Sequence, residues 1–153
     1  GVSSVKKRQE VDTDPAYSDW RRRKERLLAF LDIHDNFPER FREQVYRQLL
    51  RLPRNQQAFN TLVNMGLHPL ATSQLQAYML SDSRLRHRLS RVVHVLANWC
   101  EALACSSFLP SFAFPWVKFY GRDDCLAAET CIMFFLNWAH NWFQFWPSPP
   151  VHL

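Results

Sequence analysis

Residues Asp124 to Pro147 read DCLAAETCIMFFLNWAHNWFQFWP, a stretch without Gly whose only Pro is its last residue. Asp123 and Asp124 offer N-caps just after Gly121, and Pro147 stops the run. Between them Leu126, Ile132, Met133, Phe134, Phe135, Leu136, Trp138, Trp142, Phe143, Phe145 and Trp146 go most of the way round a helix. A helix apolar on nearly all sides is either the centre of an all-α core or a membrane span. At about 1.5 Å per residue this one is long enough to cross a bilayer. Glu129, Asn137, His140, Asn141 and Gln144 argue against that, because each costs energy in lipid. The stretch is read as a buried central helix, with Phe135 and Trp138 among its most buried side chains.

Outward from this helix the composition agrees with an all-α fold. At 153 residues the chain suits one domain with a real core. Three Gly are too few for a β-rich or dinucleotide-binding chain, which needs glycines at its turns. The start, GVSSVKKRQE, is polar and shows no secretory signal. Cys100, Cys105, Cys125 and Cys131 match neither a CxxC knuckle nor a zinc pattern, and the six His are scattered. No metal or cofactor is expected, and the cysteines read as buried free thiols of a cytosolic protein. The net charge of +5 is uneven, with 13 of the 19 Lys and Arg in residues 1–54. Arg21 to Arg26 (RRRKER) and the group Arg84, Arg86, Arg88 and Arg91 are its two concentrations. Either could meet nucleic acid, acidic lipid or an acidic protein face; at this modest excess a solvated helix face is the plainer reading.

Taken in order, residues 1–13 are polar, without period and adjacent to what reads as a tag remnant, so they are expected to be disordered. Residues 14–153 are expected to form a single helical domain. Asp14-Pro15 starts a helix running to about Ile33. Asn36-Phe37-Pro38 opens a second, carrying Phe41, Val45 and Leu49 and ended by Pro53. Asn55 caps a short third that stops at Gly66, and Pro69 starts another. Ser81-Asp82-Ser83 then caps the clearest amphipathic helix, with Leu85, Leu89, Val92, Leu96, Trp99 and Leu103 on one stripe. Its arginines lie near the N-terminus, against the helix dipole, which implies partners for them. Ser106 to Ala113 reads as a loop broken by Pro110, and Phe114 to Tyr120 as one or two helical turns.

There is no Gly-rich phosphate loop, GxSxG motif or close carboxylate pair. A resemblance goes further. Phe37–Gly66, FPERFREQVYRQLLRLPRNQQAFNTLVNMG, resembles the opening of a TBC domain, the GTPase-activating domain for Rab proteins. That family's first helix carries Arg-x-x-x-Trp, and here Arg42 and Tyr46 take those places. Val95–Pro150 is similar to one divergent branch, in which the TBC domain follows a WD-repeat propeller and precedes a coiled coil in a centrosome- and cilium-associated protein. Leu109-Pro110, Phe114-Pro115, Val117-Lys118, Asn137-Trp138, Trp142-Phe143 and Pro147-x-Pro149-Pro150 carry that likeness.

The resemblance implies a multi-helix TBC-like N-terminal subdomain, roughly half of a full TBC domain, in which Arg42, Tyr46, Trp138 and Trp142 are structural. Arg42 would pair with a carboxylate or cap a helix C-terminus, and Tyr46 would pack inward. The family supplies an Arg finger from Ile-x-x-Asp-x-x-Arg and a Gln finger from Tyr-Cys-Gln; an Arg finger is worth about 10³–10⁵ in rate. Here the first motif reads Met79-x-x-Asp82-x-x-Leu85, and Ser106–Trp116 contains no Gln. The implied function is a non-catalytic scaffold binding protein partners, a Rab-type GTPase among them, in the cytoplasm at the centrosome or ciliary base. Arg84, Arg86, Arg88 and Arg91 are its candidate contacts, and apolar surface left by the missing half allows a homodimer. Two alternatives stay open: an active Rab GTPase activator using Arg84 or Arg86, and a basic helical module on nucleic acid or an acidic membrane surface.

Overall fold

The computed structural model describes residues 15–139, which are helical and, within those bounds, contain no strand. The chain divides into two compact units, 1–51 and 52–153. The expected disordered segment 1–13 lies outside the described residues, as do Trp142 and the rest of the opening stretch from residue 140 on.

In the first unit α1 spans Pro15–His34 with Pro at its first position, where the missing N–H costs nothing. A 3₁₀ turn, Glu39–Phe41, leads into α2, Arg42–Leu49. The indole N–H of Trp20 donates to the carbonyl of Gln48 at 2.7 Å, joining the two helices. Arg51 lies over the rings of Trp20 and Tyr17, at 5.3 and 5.6 Å. The basic run is the wet side of α1. Arg23 pairs with Asp19, and Arg21 stands 3.9 Å from Glu25 with both side chains more than half exposed. Such pairs contribute about 0.3–0.5 kcal/mol each.

In the second unit α3 (Gln56–Asn64) begins where Asn55 Oδ1 accepts from the Ala58 N–H at 3.0 Å. It stops at Gly66, whose φ of +84° suits a residue without Cβ. α4 is Pro69–Ala77 and α5 is Ser83–Trp99, followed by the short α6, Glu101–Ala104. The segment expected to be a loop around Pro110 is helical: α7 runs Leu109–Phe119. Pro110 sits in the first turn, where a proline starts a helix instead of breaking one. Pro115 lies inside α7 with its ring exposed. α8, Asp124–Phe134, is capped by Asp123 and runs into a π-helical turn, Phe135–Ala139.

The core lies among α5, α7 and α8. Leu89, Val92, Val93, Val95 and Leu96 of α5, Leu109, Ala113 and Val117 of α7, and Cys125 to Cys131 of α8 are buried. The central helix is therefore real, but its buried part is the small-residue half, CLAAETC. Phe135 is 8% exposed, edge-on to Trp99 at 6.2 Å. Trp138 is 57% exposed, against the expectation. Its neighbour α5 ends at Trp99, so the described turns beyond Phe135 have no α5 surface to pack on, and Trp138 leans on Phe134 instead, at 4.8 Å. None of the described helices is long and apolar enough to cross a membrane.

A basic face and its internal anchors

Asp82 is the N-cap of α5, its Oδ1 accepting from the N–H groups of Arg84 and Leu85 at 2.9 and 3.0 Å. From this start the four arginines take different directions, and the structure separates them. Arg88 is nearly buried, and its Nε donates to Asp124 Oδ1 at 2.8 Å, with side chains 12% and 10% exposed. Arg91 reaches Asp124 Oδ2 at 3.8 Å and covers the ring of Phe59 at 5.2 Å. Arg86 donates to the carbonyl of Leu80 at 3.3 Å. Arg84 is exposed and has no ion pair among the described residues. The expectation that the arginines have partners thus holds for three of them, and two share one carboxylate at the first turn of α8. That acid sits well there, since the helix dipole favours a negative charge at its N-terminus.

A cleft of about 230 Å³ opens beside this anchor, lined by Arg84, Arg88, Lys118, Arg122 and Asp82 with Leu85 and Gly121. Lys118 and Arg122 escaped the reading from sequence because they flank a turn between α7 and α8. The one signal was Gly121, whose φ of +41° lets the chain reverse there.

A second anchor lies on α8. Glu129, 9% exposed, accepts the backbone N–H of Arg54 at 2.8 Å and that of Asn55 at 2.6 Å. The two carboxylate oxygens thereby hold the chain just before α3, where Arg54 adopts φ +51°. Arg54 also pairs with Asp123 at 3.5 Å. Burial, with help from the carboxylates of Glu129 and Asp123, pushes the Cys125 thiol up to about 12, and burial raises Cys131 further. Neither is a nucleophile at neutral pH. Among the described residues no cluster of His, Cys, Asp and Glu could hold a metal.

His94 is buried, and its Nδ1 accepts the His68 N–H at 2.9 Å. Burial, and then the nearby His68, hold its pKa below 6.5. Because the folded protein resists this proton more than the unfolded chain, the stability His94 contributes is complete above pH 6.5 and is lost as pH falls below it. Urea midpoints measured from pH 7.5 to 5 should therefore fall, and fall less in His94→Gln, which keeps an acceptor without the charge. Equal slopes would exclude His94 as the source.

The motif residues of the first unit are only partly as expected. Arg42 donates from Nε to the Phe37 carbonyl at 3.2 Å and from Nη2 to Asn36 Oδ1 at 3.1 Å. It is structural, but it fastens the link that follows α1 and meets no carboxylate. Tyr46 is 36% exposed, not packed inward, whereas its neighbour Val45 is 7% exposed. One step along α2 turns a side chain by about 100°, and the apolar valine takes the inward direction.

The chain is similar to proteins named TBC1 domain family member 31. It is 32% identical over 130 residues to that of Bos taurus, 85% of this chain and 12% of that protein. Those of Homo sapiens and Oryzias latipes are 31% and 33% identical over the same share of each chain. The chain thus spans about an eighth of the length of these relatives. No protein-family model matches the chain. No solved structure matches it either.

Proposed function

Because this chain belongs with the TBC1 domain family, as a TBC domain fragment, we propose that it is a scaffold carrying the fold without the catalysis. It binds a protein partner, a Rab-type GTPase being the class the family points to, chiefly through the face around Arg84. The observation that carries this reading is Leu85. By the resemblance it takes the place of the family's Arg finger, and it is half-buried at the head of the stripe formed by Leu89, Val92 and Leu96. Arg86, Arg88 and Arg91 are engaged inside the unit, so a finger would have to come from Arg84. Exposed Met65, Leu67 and Met79, at 61, 76 and 91%, supply apolar surface for a partner or a second copy. A place in a longer protein with a propeller and a coiled coil, at the centrosome or ciliary base, belongs to the same proposal.

Single-turnover GTP hydrolysis on a broad Rab panel tests it, using the longer protein in which the domain is whole. The expected acceleration is no more than a few-fold, with binding of at least one Rab or other partner weakened by Arg84→Ala. The exposed Arg84 favours one rival, the activator with a displaced finger. A hundredfold acceleration abolished by Arg84→Ala would establish that rival and overturn the scaffold.

A further inference from the structure

The cleft beside Asp82 joins side chains from two places in the chain, Arg84 and Arg88 of α5 and Lys118 and Arg122 at the end of α7. Four cations meet one carboxylate there, and that carboxylate already accepts two N–H groups of α5. Asp82 therefore occupies the helix N-terminus, and the positive charge left over belongs to side chains. Arg84, Lys118 and Arg122 are exposed and carry no ion pair among the described residues. Arg88 lines the same cleft but is tied to the fold. Its Nε is committed to Asp124, but its Nη2 is buried and has no hydrogen-bond partner among the described residues.

We infer that this cleft binds a phosphate monoester, with the exposed Arg84, Lys118 and Arg122 closing over it. Guanidinium groups suit such a ligand because their forked N–H groups match two oxygens of a tetrahedral anion, and Lys adds a compact charge. The concave wall raises the local potential above that of the same charges on an open helix. A soluble phosphorylated molecule and a phosphoinositide headgroup present the same chemistry. The inference does not depend on the scaffold reading, since it needs neither a Rab nor the absence of catalysis.

The test uses the full 153-residue chain and two readouts, thermal unfolding and NMR titration. Inorganic phosphate and glycerol phosphate are added at ionic strength matched with sodium chloride. Both should raise the Tm beyond chloride and shift the amide resonances of Arg84, Leu85, Gly121 and Arg122. The Lys118→Ala/Arg122→Ala variant, changed only at exposed positions, should weaken binding at least tenfold. Arg22→Ala, in the wet face of α1, should leave it unchanged. A parallel arm uses phosphatidylcholine vesicles with and without a phosphatidylinositol monophosphate. Vesicle binding lost in the same variant, with glycerol phosphate binding more than tenfold weaker, assigns the headgroup; the reverse assigns a soluble ligand. Identical responses to phosphate and chloride together with no vesicle binding, or undiminished binding by the double variant, overturn the site.

Discussion

Glu129→Ala should destabilise the second unit by about 2–6 kcal/mol, because it strands two backbone donors at about 1–3 kcal/mol each. The N–H groups of Arg54 and Asn55 have the carboxylate of Glu129 as their acceptor, at 2.8 and 2.6 Å. Asn55 is also the N-cap of α3, so the loss should spread from the link into the first turn of that helix. Glu129→Gln is the informative control. Its amide oxygen can take one of the two bonds, while its NH₂ group would face the other donor, so it should fall between wild type and Glu129→Ala. Urea unfolding followed by circular dichroism gives the free energies, and hydrogen exchange at Asn55 to Phe59 locates the damage. A cost below about 1 kcal/mol for Glu129→Ala would mean that water reaches these amides and that the clamp is not structural.

Arg88→Ala should cost about 3–5 kcal/mol, the range for removing one member of a buried ion pair. The side chains of Arg88 and Asp124 are 12% and 10% exposed, so neither charge can recover its full hydration when the other is removed. Arg91, at 3.8 Å from Asp124 and 43% exposed, is a weak substitute. Asp124→Ala should cost a similar amount and also remove an acid from the first turn of α8. The double replacement should cost less than the sum by more than about 1 kcal/mol, since each change alone leaves an unpaired charge. Additive losses would mean that the pair is solvated, and Arg88 would then be as free to meet a partner as Arg84.

These two anchors show what could be read from the chain and what could not. Helix starts and stops were legible. The caps Asn55, Asp82 and Asp123, the initiating Pro15 and Pro69, and the turn at Gly66 each act on residues within about four positions. The apolar stripe of α5 was legible for the same reason, since a 3.6-residue period is a local property. Pro110 was misread because one residue both breaks a helix and opens one, and only the packing of Leu109, Ala113 and Val117 decides which.

The candidate site was half legible. Its α5 arginines stood out as a charge run, and of these Arg84 is exposed without an ion pair among the described residues. Arg88 became an anchor because Asp124, 36 positions away, is delivered beside it by the turn at Gly121. Lys118 and Arg122 joined the cleft through the same turn. Glu129, legible only as a polar residue that argues against a membrane span, met the amides of residues 74 and 75 positions away. Trp138, apolar and central in the sequence, came out exposed where its neighbour α5 ends. Periodicity and caps follow from bonds along the chain, so the sequence alone determined most helix starts and stops, Pro110 excepted. Which charge is neutralised, which donor is stranded and which aromatic is covered depend on groups brought together across the fold, and only the tertiary structure decided those.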